Sequence, residues 1–259
     1  MRLQALPAFN DNYIWLLHDD NGGALAIDPG EAAPVLAAAD SDGLRLTAIL
    51  LTHHHPDHIG GAAHLQAHWP GVPVFAPEDP RIDCATTRVA DGQRVAAGGC
   101  EFDVIGVPGH TTSHVAFHLD DGDESVLFCG DTLFSLGCGR LFEGSAGQMY
   151  GSLSRLAALP GHTRVCCGHE YTLSNAAFAR VVEPDNLALR RRTEEAQAMR
   201  DAALPTLPST IADERGCNPF LRCDQPTVIA AVERRLGHRP ADAIEVFAEL
   251  RRWKDGFVA

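Results

Sequence analysis

Six consecutive residues, His53-His54-His55-Pro56-Asp57-His58, hold four histidines and a carboxylate. Imidazole with carboxylate is a donor set that suits zinc and other first-row metals. The apolar run 46–51 before them reads as a buried strand, and Gly60-Gly61 after them as a turn entering a helix. The donors therefore sit where a strand ends. Residues two apart in an extended segment face the same way, so His53 and His55 can share one ion while His54 points away. Asp57 and His58, past the turn, can reach a second ion. A tag-like accident is set aside, because tags sit at termini and lack the interleaved Asp and the strand context.

Three further residues share this placement after a strand and beside a glycine: His110 after Gly109, Asp131 after Gly130 and His169 after Gly168. Ligands on strand ends can converge from distant sequence positions, and glycine lets the backbone come close to an ion. The chemistry suggests that one ion takes His53, His55 and His110, the other Asp57, His58 and His169, with the two oxygens of Asp131 bridging them. Water held by two cations loses a proton near neutrality, since one zinc alone brings its pKa to about 7. The product is a metal-bridging hydroxide, with Asp57 and Asp131 as the carboxylates that orient it.

The elements that must position these residues follow from the apolar pattern. Strands are expected near 3–6, 13–18 and 24–27 as an antiparallel meander, then at 46–51 and 72–76. Hairpins are expected at 94–97 with 101–107 and at 115–119 with 125–129, the latter turning around 120–123, and a short strand at 165–167. Helices are expected at 31–39, 60–68 and 145–159. Beyond Tyr171 no strand is expected, only helices near 172–182, 186–203, 227–236 and 241–253. The organisation read from this is a strand-rich catalytic domain over 1–170 and a small all-helical domain over 171–259.

Bulk properties narrow the class. A formal net charge of −13 argues against nucleic acid as a partner, because phosphate recognition needs clustered Lys and Arg. No stretch approaches the roughly 18 to 20 apolar residues of a membrane span, and the N-terminus shows no signal peptide. The eight cysteines form no C-x-x-C pair and read as reduced thiols. A cytoplasmic, monomeric protein with no membrane and no nucleic-acid partner is the expectation.

The order H-x-H-x-D-H, then G-H, G-D and G-H, resembles the metallo-β-lactamase superfamily. Thr52 to His58, Pro108-Gly109-His110-Thr111, Gly130-Asp131-Thr132-Leu133-Phe134, Gly137-Cys138-Gly139-Arg140 and Gly168-His169-Glu170-Tyr171-Thr172 resemble its hydroxyacylglutathione hydrolase, or glyoxalase II, branch. Asn218-Pro219-Phe220-Leu221-Arg222 and Arg251-Arg252-Trp253-Lys254-Asp255 resemble that branch's C-terminal signatures. The resemblance implies an α/β fold, a four-layer αββα sandwich followed by a helical domain. It also implies two divalent metal ions, zinc first with iron or manganese as alternatives. The implied reaction is hydrolysis of S-D-lactoylglutathione to glutathione and D-lactate in methylglyoxal detoxification. Arg140, Tyr171, Arg251 and Lys254 would hold the glutathione portion, whose carboxylates suit Arg and Lys. The chain departs at Arg140, where relatives often carry Lys, and at Phe142, where a Tyr hydroxyl is lost. The competing readings are a glutathione persulfide dioxygenase with a single iron and a hydrolase of other esters or thioesters on the same fold. The second donor set and the C-terminal signatures speak against them.

Overall fold

The computed structural model describes residues 1–122 and 124–258, which form two compact units. The first comprises Met1–Gly106, Ser113–Gly130 and Cys166–Glu170. The second comprises Val107–Thr112, Asp131–Val165 and the chain from Tyr171 onward.

In the first unit β1 (Arg2–Ala8), β2 (Asn12–His18) and β3 (Gly23–Ile27) pair antiparallel, as the meander expected. The sheet then continues in parallel through β4 (Arg45–Leu50), β5 (Val74–Pro77) and β6 (Thr87–Val89). β2 is buried along its whole length, as its unbroken apolar run requires of a strand covered on both faces. Parallel pairing needs crossovers, supplied by α1 (Ala33–Asp42) and by α2 (Pro56–Ile59) with α3 (Ala62–His68). Val35 and Ala38 of α1 and Ala62 and Leu65 of α3 share one core with Leu16, Ile49 and Val74. β3 and β4 end together, Asp28 N donating to Leu50 O at 2.9 Å. This is the edge from which the histidine-rich loop leaves. α2 and β6 were not among the expected elements: α2 is a single turn started by Pro56, and β6 is three residues held by β5.

Four strands of a second sheet, β7 (Arg94–Ala97), β8 (Cys100–Gly106), β9 (Val115–Asp120) and β10 (Ser125–Gly130), form an antiparallel meander in this unit. Asp123, in the turn expected around 120–123, lies outside the described residues. Gly168 N donates to Gly130 O at 3.0 Å, tying the 166–170 segment to the end of β10.

The second unit contains a small hairpin, β11 (Leu133–Phe134) with β12 (Gly137–Cys138), and α4 (Ala146–Ala157), which opens on a Ser145/Gln148 capping box. The first half of β13 (Arg164–Cys167) also belongs to this unit, and α5 (Thr172–Val182) and α6 (Leu187–Asp201), capped by Asn186, follow. β14 (Ser209–Thr210) pairs antiparallel with Arg164 and Val165, so the expectation of no strand after Tyr171 is corrected. Two residues carry no periodicity and become a strand only because an edge accepts them. Thr210 then caps α7 (Ile211–Cys217), which was also not expected. After a 3₁₀ turn at Pro219–Leu221 come α8 (Pro226–Leu236) and α9 (Ala243–Asp255). Phe220 packs against Phe178 and Phe247, with ring centroids 6.0 and 5.7 Å away. No described helix is long and apolar enough to cross a membrane.

Candidate metal centre and cavity

In the first unit the loop leaving β4 brings histidine nitrogens together. His53 Nε2 and His55 Nδ1 stand 3.0 Å apart, close enough for one cation to take both. The second donor group is Asp57, His58 and His169, whose ligand atoms lie within 4.8 Å of one another. Asp57 Oδ2 is 3.6 Å from His58 Nε2 and 3.4 Å from His169 Nε2, and it accepts from the Asn12 amide at 3.0 Å.

The partners of the other ring nitrogens decide what these imidazoles can do. His58 Nδ1 donates to Asp28 Oδ2 at 3.0 Å, and His169 Nδ1 to Asp11 Oδ1 at 2.9 Å. His53 Nδ1 faces Thr52 Oγ1 at 3.0 Å. That hydroxyl spends its only proton on Asp28 Oδ2 at 2.7 Å and so can only accept from the ring. Each of the three rings is therefore protonated on Nδ1 and turns the Nε2 lone pair inward, the tautomer of a metal ligand oriented from behind. The donor set fits a divalent cation. Asp28 and Asp11, which hold two of these rings from behind, are not among the candidates drawn from the sequence. An Asp before Pro-Gly is an ordinary turn residue, yet Asp28 is buried and also accepts from Thr52 N at 2.7 Å. Asp11, between Asn10 and Asn12, has the composition of a polar turn.

The remaining histidines have other work. His54 turns away from this cluster, with Nδ1 3.4 Å from Asp79 Oδ2. Arg81 and Ser113 also bond Asp79 and hold its carboxyl well below the usual carboxylate range, Arg81 most strongly. His114 stacks on His53 at 4.5 Å and 16°. Buried His118 bonds Ser125 Oγ, and desolvation pushes its pKa down. Glycine matters at Gly130: at φ +47 a side chain would be strained and would collide with Thr52 Oγ1.

The second unit carries His110 and Asp131, with His110 Nε2 3.4 Å from Asp131 Oδ2. His110 Nδ1 donates to the Arg140 carbonyl at 2.9 Å, the same tautomer as in the first unit. Both residues line a cavity of about 660 Å³ together with Arg140, Tyr171, Arg251 and Lys254. Phe142 is on the same wall, edge-on to His110 at 5.2 Å. Arg251 is buried, its Nη1 donating to Cys138 O at 2.8 Å, and its guanidinium lies over the Phe220 ring. Lys254 Nζ donates to Ser174 O at 2.9 Å. Burial first, then the Arg251 and Arg140 charges, push the Lys254 pKa down to about 8. Burial pushes the Cys138 thiol up to about 11, so at neutral pH it is a packing group. The cavity thus concentrates cations in a protein whose net charge is −13.

The β11–β12 hairpin that forms part of this wall is held by buried polar groups. Asn218 Nδ2 donates to Phe134 O and Gly137 O at 3.1 and 2.9 Å, Asn175 Nδ2 to Ser135 O at 3.1 Å, and Leu136 N to Glu214 Oε2 at 2.8 Å. Glu214 is fully buried, and desolvation raises its pKa.

Comparison with known proteins covers nearly the whole chain. Residues 9–169 match the metallo-beta-lactamase superfamily, and residues 170–257 match the hydroxyacylglutathione hydrolase C-terminus. The hydroxyacylglutathione hydrolase of Xanthomonas axonopodis pv. citri is 59% identical over 259 residues, covering 100% of both chains. Among solved structures, ETHE1 from Myxococcus xanthus superposes with a TM-score of 0.63 at 24% identity, covering 99% of this chain and 91% of that one. TTHA1623 in a di-iron-bound form gives 0.53 at 32% identity, covering 63% of this chain and 90% of that one. The fold is that of the superfamily, with a helical C-terminal region, which is the α/β class expected from the sequence.

Proposed function

The chain belongs to the hydroxyacylglutathione hydrolase family of the metallo-β-lactamase superfamily, and from that premise we propose that it hydrolyses S-D-lactoylglutathione and related 2-hydroxyacylglutathiones to glutathione and the free hydroxy acid. The observation that carries this reading is the shared cavity: His110 and Asp131 line it together with Arg140, Tyr171, Arg251 and Lys254. Ligands for chemistry and cations for carboxylates thus meet in one space.

The ligand set of this reading is His53, His55 and His110 for one cation, Asp57, His58 and His169 for the other, and Asp131 for both. When bound, the metals supply a nucleophile at neutral pH and polarise the thioester carbonyl. Asp11, Asp28 and Thr52 keep the imidazoles in the ligating tautomer. Asp57, braced by Asn12, and Asp131 orient the attacking water. The C–S bond breaks to give a thiolate, which is a good leaving group and needs no general acid. Arg140, Arg251 and Lys254 take the glutathione carboxylates, and Tyr171 borders the same portion. Phe142 offers packing without a hydroxyl.

Zinc is the first choice of metal. Iron, present in the di-iron form of TTHA1623, and manganese accept the same donors. The functional division lies near residue 170, with 1–170 for catalysis and 171–259 for substrate binding, supported by the two family matches meeting at 169 and 170. The protein works in the cytoplasm as a monomer; all eight cysteines are free thiols, which suits a reducing compartment.

The test is a steady-state assay with S-D-lactoylglutathione beside a thioester that lacks glutathione. A strong preference for the first is expected, and equal kcat/KM on both would refute the glutathione assignment.

A further inference from the structure

The cations of the cavity already have a carboxylate among them. Arg251 Nε and Nη2 both meet one oxygen of Asp255, Oδ1, at 3.2 and 3.0 Å. The same Oδ1 lies 3.8 Å from Arg140 Nε. Lys254 precedes Asp255 in sequence, and the Asp255 charge favours the protonated amine against the burial that opposes it. One side chain therefore bears on all three groups that the proposed function gives to the substrate's carboxylates. Because Oδ1 alone makes these contacts, Asp255 occupies the nitrogens of Arg251 that a planar bidentate ligand would use.

We propose that Asp255 is an internal competitor for the ligand's carboxylate, a specificity-determining residue that sets how tightly the glutathione portion is held and how fast it leaves. The inference rests on the glutathione reading of the cavity. Without ligand, Asp255 compensates a buried guanidinium that would be costly to leave unpaired. When a ligand carboxylate arrives, it must share or displace Oδ1, so part of the gross attraction is spent on that exchange. The side chains of Asp255 and Arg140 are 44% and 65% exposed, so solvent screens the competition and keeps it modest.

Asp255→Asn keeps the shape and removes the charge. In the metal-loaded, full-length enzyme, KM for S-D-lactoylglutathione is expected to fall about threefold, the scale of one part-exposed charge pair. The inhibition constant of glutathione falls in parallel, and kcat does not rise. Asp255→Ser, tested alongside, moves KM the same way, whereas Asp255→Glu keeps the charge and stays near wild type. KM for a thioester without carboxylates is unmoved throughout. An unchanged or higher KM for S-D-lactoylglutathione in the Asn or Ser variant overturns the competitor role. A wild-type enzyme that treats both thioesters alike overturns the glutathione reading and this inference with it, so the two failures are told apart by the wild-type comparison.

Discussion

Asp28 never touches the reacting atoms in this account, yet replacing it by Asn should disable the metal centre. Its Oδ2 accepts from His58 Nδ1 at 3.0 Å and from Thr52 Oγ1 at 2.7 Å, and Thr52 Oγ1 in turn faces His53 Nδ1 at 3.0 Å. Asp28→Asn turns one of the two oxygens into a donor. If the amide nitrogen takes the Oδ2 position, it favours the His58 tautomer with its proton on Nε2, where the metal should be. It also frees the Thr52 hydroxyl proton to turn toward His53, with the same result there. If it takes the Oδ1 position, it opposes Thr52 N, now 2.7 Å from that oxygen, and leaves a buried N–H unpaired. The second arrangement costs about 1–3 kcal/mol of stability. The first should lower metal affinity or activity about 10- to 100-fold for each mis-set ligand. Asn also tolerates the positive φ of 51° at this position, so backbone strain does not confuse the result. Metal per chain by mass spectrometry after desalting, kcat/KM and a thermal melt read the three consequences. A variant with wild-type metal content and wild-type kcat/KM would refute the reasoning.

Three further outcomes are expected. Lys254 has its pKa lowered to about 8, so it is charged below that pH and loses its charge above it. KM for S-D-lactoylglutathione should be flat below pH 8 and rise above it, and Lys254→Arg should remove the inflection; a flat wild-type profile through pH 9 contradicts this. Asn218→Ala strips donors from the buried carbonyls of Phe134 and Gly137 and should cost about 2–3 kcal/mol in denaturant unfolding, with KM rising as the β11–β12 wall loosens. A loss of less than about 0.5 kcal/mol would show that the hairpin holds itself. Phe142→Tyr restores a hydroxyl on the cavity wall and should lower KM about twofold, the scale of one solvent-competed hydrogen bond.

The histidine motif was legible because its chemistry is local: one strand end, alternate residues converging, and His54 turned outward by the period of two. The strands that carry His110, Asp131 and His169 were legible as apolar runs ending at glycines. Asp28 and Asp11 were not, because an Asp before Pro-Gly and an Asp between two Asn are equally good turn residues. Only the parallel pairing of β3 with β4 puts Asp28 beside Thr52, and only the antiparallel bridge of Asn12 with His169 brings Asp11 near that imidazole. Both pairings are tertiary facts. β14 and the β11–β12 hairpin were missed for a simpler reason, since two-residue strands have no period to read. Arg251 and Lys254 came from resemblance alone; the approach of Asp255 to Arg251 and Arg140 depends on side-chain directions that no pattern encodes.

The proposed ligand set calls for two divalent cations per chain. The most direct test is to strip the purified protein with a chelator, return zinc in measured equivalents, and follow hydrolysis of S-D-lactoylglutathione at each step. No turnover in the stripped protein and full turnover at two equivalents per chain is the predicted result. Full turnover in the stripped protein, or saturation at a single equivalent, would contradict it.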